Sequence, residues 1–466
     1  MKTLSPLVVC LAALLSAGCA NFLKSDYQTP EVKYPASWYQ GAAAGETAPF
    51  DWQAFNDPRL DGWLRQVIAR NNDVAGAVLR VYRARLDEER VGIANDPGLK
   101  GSLGVNSKKQ LDGSAGWRSG SDANLDTRYE LDLWGKIARQ RDAKAWAREA
   151  SEEDLRAARL TLLSDASNNY WRIGLINQQL SVLQQSIDYA KETLRLANAR
   201  YAAGGASLLD VVDAQQGMLS QENRLTALQN ERLKALNQQA VLLGTAPGSP
   251  IVEPKALPTG PLPQVNVNIP VNALRHRPDI SAKEWRVREA LTTVDIRRSE
   301  FYPAFSLTGS LGTSSSTLIA FLHNPVGTVG ANLTLPFLDW RARGVDVKIA
   351  RNDYEQRVLA FKQALYKAMS SIEDALSLRH QLLEQETRLR DGLELAKKSE
   401  KLNEVRYRQG AVRISFWLDA QDKRRQAELL LDENRFDQLN NLVKIYLEFG
   451  GSATFPGADQ PAGIAF

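Results

Sequence analysis

The chain repeats one pattern of residues at a constant offset of 206 positions, without a gap, over most of its length. The offset places the segment from Arg200 to Gly204 on the segment from Arg406 to Gly410, and it places Trp134 on Trp340. Further matched pairs are Asp73 with Asp279, Pro97 with Pro303, Asp213 with Asp419, and Gly244 with Gly450. A repeat this long indicates a tandem duplication whose two halves occupy equivalent places in a symmetric object.

Residues 1–18 resemble the signal peptide of a bacterial lipoprotein. Lys2 precedes an apolar stretch from Leu4 to Leu15 that is too short to span a membrane as a helix, and small residues then precede Cys19. In such signals the cysteine becomes the first mature residue and carries the lipid. We therefore expect lipidation of Cys19, with ordinary signal cleavage nearby as the alternative. Ala20 is not the aspartate associated with inner-membrane retention, which favours the outer membrane.

The composition disfavours several kinds of site. The only cysteines are Cys10, inside the signal, and Cys19, so the mature chain has no internal disulfide and no thiolate metal site. His276, His323 and His380 lie far apart, which disfavours a histidine-ligated metal or a catalytic triad. Charged residues are interspersed at a net charge of +4, so no nucleic-acid surface is indicated. No phosphate loop, G-x-S-x-G or H-E-x-x-H motif occurs, and we expect neither an enzyme nor a cofactor.

Two long stretches without proline favour long helices. No proline occurs between Pro97 and Pro247 or between Pro336 and Pro456, and proline is the strongest helix breaker. Within each stretch, apolar residues recur at steps of three and four, as in amphipathic helices of coiled-coil type. The sequence predicts helices at 139–203, 206–243, 343–409 and 412–448. A helix like the first would reach about 90 Å, at about 1.5 Å per residue.

Before each pair of helices the hydrophobic period changes from about 3.6 to 2, which indicates β-strands with one apolar face. In the second half, Phe305, Leu307 and Leu311 alternate with serine and threonine, whereas the apolar face is weaker in the first half. The predicted strands are 97–107, 121–134, 303–313 and 327–339. Each has the length that crosses a bilayer when tilted. A half-buried sheet in a soluble domain is the alternative.

These elements divide the chain into six segments. We expect a lipoprotein signal peptide at 1–18, a lipidated extended segment at 19–70, repeat 1 at 71–246, a proline-rich linker at 247–272, repeat 2 at 273–450, and a C-terminal tail at 451–466.

Four strands cannot close a barrel by themselves. An open sheet edge within lipid would leave backbone groups unpaired, so closure must come from other copies of the chain. A dimer would supply eight strands, whose lumen is filled by side chains, and a trimer would supply twelve, enough for a small opening. The expected fold is mainly α with a membrane β-barrel, in which each of two tandem repeats contributes a β-hairpin and long antiparallel helices.

Several ordered motifs along the chain resemble the signatures of the TolC-like outer membrane efflux family, in its lipoprotein branch. They are Trp52 to Leu60, Tyr129 to Lys136, Arg277 to Ile280 with Glu284, Phe301 to Gly312, and Arg406-Tyr407 through Asp419 to Gln421. The resemblance covers nearly the whole mature chain. It implies a homotrimer with a 12-stranded outer-membrane barrel and a long periplasmic α-helical barrel. It also implies an inner-membrane pump and a periplasmic adaptor as partners in the export of drugs, metals or other small toxic compounds.

In that family, acidic side chains form constricting rings at the periplasmic entrance. The matching residues here are Asp213 and Asp419, with Asp210 nearby. Carboxylates brought together by a threefold axis repel one another and favour cations in the pore, and protonation or cation binding could close the ring. The resemblance therefore implies a periplasmic gate at these three aspartates.

The repeated corners between the long helices admit two interpretations, a tight helical turn or a docking site for the adaptor. The residues concerned are Arg200, Tyr201, Gly204, Arg406, Tyr407 and Gly410. The chain departs from the family pattern here, because Ser207 to Val211 in the first repeat is matched by a basic and two aromatic residues within Arg413 to Trp417 in the second. The docking partner and the gate geometry therefore stay open.

Two further residues and two dipeptides have mainly structural interpretations. Tyr129 and Trp134 lie at predicted strand ends, where amphipathic rings anchor a protein at the boundary between lipid and water. Asp57-Pro58 and Pro278-Asp279 are typical of helix starts, in which an aspartate caps the first turn or proline occupies its first position.

Two other functions remain as alternatives to small-molecule efflux. A type I protein-secretion duct would share the whole architecture, and no residue excludes that use. A lipid-anchored periplasmic adaptor would carry one helical hairpin flanked by compact β domains, which the duplication disfavours.

Overall fold

The computed structural model describes residues 23–35, 38, 52–93, 96–109, 116–263, 271–315 and 325–450. Cys19 and the predicted tail at 451–466 lie outside these residues. The chain forms two compact units, each built from three segments. We call the unit of Met1–Val32, Leu79–Asp154 and Asp279–Ala364 the sheet unit, and the unit of Lys33–Val78, Leu155–Pro278 and Leu365–Phe466 the tip unit.

Seven α-helices occur in the described residues. They are α1 (Pro58–Arg70), α2 (Asn72–Ile93), α3 (Lys136–Ala202), α4 (Leu208–Leu242), α5 (Pro278–Ser299), α6 (Trp340–Arg408) and α7 (Ile414–Glu448). Short 3-10 turns lie at Trp52–Phe55, Val271–His276 and Pro336–Asp339. The four long helices, α3, α4, α6 and α7, end within three residues of the bounds that the sequence predicts. At 67 residues, α3 is about 100 Å long. Among the residues that the structure describes, no helix is long and apolar enough to cross a membrane.

The prediction of an extended segment at 19–70 is wrong for its last part. Residues 24–35 have no helix or strand, but Pro58–Arg70 forms α1. The Asp57 carboxylate accepts from the backbone N–H groups of Arg59 (3.0 Å) and Leu60 (3.2 Å), and Pro58 occupies the first helical position. Leucine, tryptophan, valine and isoleucine at three- and four-residue steps form the buried face of α1. That period was visible in the sequence.

Helix α1 forms one wall of the main core of the tip unit. Its apolar face packs against α3 and α7, and Trp63 Nε1 donates to the carbonyl of Ala166 (3.1 Å). Tyr170 on α3 donates from its hydroxyl to the Asp57 carboxylate (3.2 Å), which ties the cap of α1 to the long helix. The other buried core side chains include Leu163, Trp171, Leu439 and Val443.

Equivalent helix pairs in the two repeats are held by equivalent contacts. In repeat 1 the Asn169 amide donates to the carbonyl of Ala235 (3.1 Å), and in repeat 2 the Asn441 amide donates to the carbonyl of Ala375 (2.9 Å). The 206-residue offset maps Asn169 on Ala375 and Ala235 on Asn441, so asparagine and alanine have changed places between the facing helices. The contact has therefore been kept while its side chains were exchanged.

The sheet unit contains one four-stranded antiparallel sheet. Its strands are β1 (Gly98–Lys108), β2 (Arg118–Leu131), β3 (Ala304–Ser315) and β4 (Pro325–Thr334), in the order β1-β2-β3-β4. The hairpins of the two repeats thus join through β2 and β3, and β1 and β4 form the edges of the sheet.

Two strands end earlier than the sequence predicts. The predicted 121–134 is Arg118–Leu131, and the predicted 327–339 is Pro325–Thr334. Apolar alternation continues beyond both ends, but the Asp132 carboxylate accepts from the N–H groups of Ile137 (3.0 Å) and Ala138 (2.8 Å) and so starts α3. After β4, the 3-10 turn that begins at Pro336 replaces the strand. Helix initiation overrides the alternating pattern at both places.

The strand register makes the apolar face continuous across the sheet. Leu125 pairs with Gly101 and with Leu311, and Phe305 pairs with Leu131 and Leu333. Two residues that pair directly across neighbouring strands lie on the same face of the sheet, and successive side chains along one strand alternate between the two faces. The apolar side chains on this face include Leu99, Leu103, Val105, Leu307 and Val329, all exposed in the single chain. The opposite face carries polar residues such as Lys100, Asp126, Ser310 and Asn332.

Candidate functional site

The two repeated corners have the same backbone turn. Gly204 and Gly410 follow the ends of α3 and α6 at positive φ, 72° and 77°. The Gly205 N–H donates to the carbonyl of Arg200 (2.8 Å), and the Ala411 N–H donates to the carbonyl of Arg406 (2.9 Å). These contacts define the glycine-terminated helix end that satisfies the last carbonyls. The interpretation of the corners as tight helical turns is therefore correct for their backbone.

Arg200 joins the first corner to the second. Its guanidinium donates to the carbonyl of Tyr407 and to the carbonyl of Gly205 (3.2 Å), and it lies 4.7 Å from the centroid of the Tyr407 ring. A Cβ at Gly410 would lie 3.3 Å from Arg200 Nη2, which is a close contact. Two of the six predicted docking residues, Arg200 and Tyr407, thus contact each other within a single chain, and Gly410 lies close to Arg200.

A small core lies beneath this contact. Tyr407 (2% exposed) and Trp417 (1% exposed) pack together with centroids 5.5 Å apart, and the edge of Tyr189 meets Trp417 at 5.8 Å. Ile414 is also buried there. The unusual second-repeat segment from Arg413 to Trp417 therefore supplies a core. The Tyr407 ring lies within that core and off the exposed surface.

Two polar atoms in this core have no hydrogen-bond partner among the described residues, the Tyr407 hydroxyl and Trp417 Nε1. Burial raises the pKa of Tyr407, and the cation of Arg200 acts in the opposite direction. An unpaired buried donor costs about 1–3 kcal/mol. Apolar packing therefore holds this core together, and the hydrogen-bonding capacity of these two polar atoms is not satisfied within it.

The outer surface of the corners is partly apolar. Tyr201 is 47% exposed and Phe416 is 59% exposed, and Arg406 is also exposed. Three residues at the start of α4, Leu208, Leu209 and Val212, add to this surface. These three residues and Phe416 are not among the predicted docking residues, although apolar residues just after a predicted helical corner were a signal in the sequence. Exposed apolar surface of this kind marks interaction sites.

The three predicted gate aspartates have different environments. Asp210 forms a capping box with Ser207: its carboxylate accepts from the Ser207 N–H (2.9 Å), and the Ser207 hydroxyl accepts from the Asp210 N–H (3.3 Å). Asp419 is exposed and pairs with Lys423 (2.7 Å). Asp213 is half-buried on α4. Asp210 therefore stabilises the start of α4, a role that its repeat-2 counterpart, Phe416, does not have.

The two predicted interface residues, Tyr129 and Trp134, lie in the sheet unit. Tyr129 is on the apolar face of β2, opposite Leu307. Trp134 follows β2, donates from Nε1 to the carbonyl of Pro303 (2.7 Å), and lies 4.8 Å from the ring of Tyr302. The indole N–H of Trp134, in repeat 1, thus binds the residue that directly precedes β3, in repeat 2.

No group of three or more His, Cys, Asp or Glu residues in the described ranges is arranged to hold a metal ion. The predicted lipidation site, Cys19, lies outside those ranges.

Comparison with known proteins fits the duplication and the fold. The outer membrane efflux protein family matches residues 63–245 and 269–451, two segments separated by the same 206-residue offset. The pyoverdine export outer membrane protein OpmQ of Pseudomonas aeruginosa is 28% identical over 97% of each chain. Toxin and drug export protein A of Aggregatibacter actinomycetemcomitans is 25% identical over 96% of this chain and 97% of its own.

A solved structure of the outer-membrane channel OprN superimposes with a TM-score of 0.81 at 24% identity, covering 92% of this chain and 99% of that one. The fold class and the family that the motifs indicate are both confirmed. The chain belongs to the outer membrane efflux protein family.

Proposed function

We propose that three copies of this chain form the exit duct of a tripartite efflux pump. The duct conducts small toxic compounds, such as drugs or metal ions, passively from an inner-membrane transporter and a periplasmic adaptor to the exterior. One observation carries the proposal: an exposed and mainly apolar face extends across a four-stranded sheet whose edge strands, β1 and β4, pair with no further strand in the described residues.

The apolar face suits contact with lipid. The strands have 10–14 residues, enough to cross the hydrocarbon region when tilted. In water, side chains such as Leu103 and Val329 would be a large exposed apolar surface, which soluble monomers avoid. The other face is polar and suits a water-filled lumen. Tyr129 lies on the lipid side of this arrangement, near one end of β2.

The unpaired edge strands of the sheet require partner strands from further copies of the chain. Each unsatisfied backbone group in lipid costs several kcal/mol, so β1 and β4 must find partners. Three chains would supply twelve strands and a small opening. Membership in an outer-membrane efflux family supports the same arrangement.

The corners are the proposed docking end for the adaptor. Arg406 and Tyr201 offer exposed polar and aromatic groups, Gly204 and Gly410 keep the turns narrow, and the apolar side chains of α4 and Phe416 lie beside them. Arg200 and Tyr407 would act indirectly, because their contact fixes the shape of the surface.

The aspartates of the corners are the proposed gate. Asp213 and Asp419 occupy equivalent positions, so a trimer would bring six such carboxylates near its axis. We expect Asp213→Ala to increase the leak conductance in planar bilayers more than Asp419→Ala, because Lys423 already offsets the charge of Asp419. Ser220→Ala, on the exposed surface of α4, is the matched control. Unchanged conductance in both aspartate variants would remove these residues from the gate.

Cys19 is the proposed lipid anchor in the outer membrane. Its support is the small-residue pattern before it, and its test is mass spectrometry of the mature N-terminus. A lipidated Cys19 would show the added mass of the acyl chains, and an unmodified N-terminus elsewhere would contradict the anchor.

Protein export is a second candidate, favoured by one relative whose name covers toxin as well as drug export. Deletion of the gene followed by complementation separates the two. Lost resistance to small toxic compounds, restored by the intact chain, supports the efflux duct. Unchanged resistance with a protein missing from the culture medium would support protein export instead.

A further inference from the structure

We propose that the outer end of the duct is an anion-selective filter formed by Lys108 and Arg118 of each copy. The inference rests on the proposed function, because it takes the polar face of the sheet as the lining of a water-filled lumen. It adds a class of cargo to that function: compounds with negative charge pass this end more readily than compounds with positive charge.

Lys108 and Arg118 lie at one level and on one face of the sheet. Lys108 is the last residue of β1, Arg118 is the first residue of β2, and the two pair directly. Lys108 is an even number of residues from Lys100, so both lie on the polar face. The side chains of Lys108 and Arg118 are exposed. The other end of β2 leads into α3, so this end of the hairpin, away from the long helices, opens to the exterior in the proposed duct.

The strands place no acidic side chain close to this basic pair. The next pair on the polar face, Asn106 with Gly120, is uncharged. Asp122 lies four residues along β2 from Arg118, or about 13 Å at about 3.3 Å per residue. That distance exceeds the Debye length of about 8 Å at physiological ionic strength. In the sequence between the pair, residues 109–117, one lysine and one aspartate offset each other.

Elsewhere on this face, positive and negative side chains balance. Lys100 lies directly opposite Asp126, and the Lys136 ammonium lies 2.5 Å from the Glu130 carboxylate. The other two charged residues of β2 on this face have opposite signs, and they are Asp122 and Arg128. The uncompensated charge of the face is therefore at its outer end.

The hairpin of repeat 2 does not oppose the basic end. Strands β3 and β4 contain no charged residue, and the sequence between them, residues 316–324, contains no acidic one. The 206-residue offset places Ser314 at the position of Lys108 and Asn324 at that of Arg118. Three copies would thus place six basic side chains around the exit, beside hairpins that carry no negative charge.

Fixed charges that line a pore attract ions of the opposite sign and exclude ions of the same sign. Lys108 and Arg118 would therefore raise the local concentration of anions at the exit and lower that of cations. The aspartates of the proposed gate have the opposite charge, so the test has to measure the exit by itself.

The reaction of a lumen cysteine with charged thiol reagents measures the electrostatic potential at the exit. Asn106→Cys places a thiol on the polar face, about 7 Å along the strand from Lys108 and within the Debye length. Intact cells with the full-length protein are treated from outside with methanethiosulfonates that carry either a sulfonate or a trimethylammonium group. Both rates are measured with Lys108 and Arg118 present and in the double variant Lys108→Gln with Arg118→Gln. Protein without an engineered cysteine controls for Cys19.

We expect the ratio of the sulfonate rate to the trimethylammonium rate to fall several-fold in the glutamine variant. The charge-conserving exchange, Lys108→Arg with Arg118→Lys, should keep the original ratio. An unchanged ratio in the glutamine variant would overturn the filter and leave the proposed duct standing.

A second cysteine separates failure of the filter from failure of the duct. Val105 lies on the apolar face, one residue from Asn106, so Val105→Cys should react with neither reagent. A Val105→Cys thiol that reacts as fast as the Asn106→Cys thiol would contradict the assignment of the two faces, and with it the proposed duct. An Asn106→Cys thiol that reacts with neither reagent would contradict the water-filled lumen.

Planar-bilayer recordings make the same comparison for permeating ions. In a gradient of KCl, the glutamine variant should have a lower ratio of chloride to potassium permeability than the unmodified protein. The charge-conserving variant should match the unmodified protein. Equal permeability ratios in conducting channels of all three proteins would contradict an anion preference at the exit.

Discussion

The two corners of the tip unit have the same backbone turn, but their side chains make different contacts. At the first corner, Ser207 and Asp210 cap α4, and the surface around Tyr201 is exposed. At the second, Arg413 makes no side-chain cap, and Tyr407 and Trp417 are buried. Duplication has thus kept the turn that the glycines impose while the stabilising contacts diverged. Equivalent position in a repeat predicts the path of the chain better than it predicts what each side chain does.

The largest expected effect is loss of the second-corner core. Trp417→Ala should destabilise the corners by about 3–5 kcal/mol, because it removes a fully buried ring. The equivalent change in repeat 1, Val211→Ala, should cost less, since Val211 is smaller and only partly buried. Hydrogen exchange of the amides at 405–417 measures the local stability. Trp417→Phe is the matched control, because it keeps a ring and removes the unpaired N–H. Equal protection in the two alanine variants would contradict the difference between the corners.

Alanine variants of the two corner arginines, Arg200 and Arg406, should affect local stability and adaptor docking differently. Arg200→Ala removes bonds to two carbonyls and the contact with the Tyr407 ring, and we expect a local loss of about 1–3 kcal/mol. Arg406→Ala changes an exposed side chain, so local stability should change by no more than about 0.5 kcal/mol. Hydrogen exchange reports stability, and copurification with the adaptor reports docking. An Arg406→Ala variant with full adaptor binding would remove Arg406 from the docking surface.

The two helix starts should respond unequally to alanine. Ser207→Ala should destabilise the first turn of α4 by about 1 kcal/mol, since the Ser207 hydroxyl caps the Asp210 N–H. Arg413→Ala at the equivalent position should have almost no effect on α7, because Arg413 makes no capping bond. Amide exchange at the two helix starts compares them directly. A larger loss at α7 than at α4 would contradict the assigned caps.

The smallest expected effect is a pH dependence on α7 that repeat 1 does not share. Burial raises the pKa of Asp432 to about 6, with Glu428 and Glu433 adding to the shift and a hydrogen bond from Gln178 (2.8 Å) opposing it. The equivalent position in repeat 1 is Thr226. The folded state therefore holds the proton more tightly than the unfolded state, and stability falls as pH rises from about 4 to about 6.

Asp432→Asn should remove this dependence and raise stability at pH 7 by about 1 kcal/mol, a figure reduced for solvent screening. Below about pH 4 the variant and the parent should unfold alike. Thermal unfolding across this pH range measures the difference, and Asp391→Asn, at an exposed position on α6, is the control. A variant that is less stable than the parent at pH 7 would contradict the burial of a charged Asp432.

The sequence predicts the long helices closely because two physical signals coincide. Proline is absent over the whole of α3 and α6, and the apolar period is sustained. The strand ends were less predictable, because the alternation of apolar and polar residues continues through Leu133 and Leu335. The strands end earlier because Asp132 caps α3 and because a 3-10 turn begins at Pro336. Helix α1 was predictable from its apolar residues at three- and four-residue steps.

The side-chain roles at the corners could not be predicted from the sequence. Burial of Tyr407 depends on its packing against Trp417, and the Trp417 ring also contacts Tyr189, which lies more than two hundred residues away in the chain. The corner motif is the same in both repeats, so it cannot indicate which tyrosine is buried. The capping box at Ser207 is different, because a serine followed three residues later by an aspartate is a local signal.

The oligomeric mass of the mature protein, extracted from outer membranes in mild detergent, tests the central claim most directly. We expect a trimer, because only further copies can pair the open edges of β1 and β4. A stable monomer under the same conditions would contradict the shared duct.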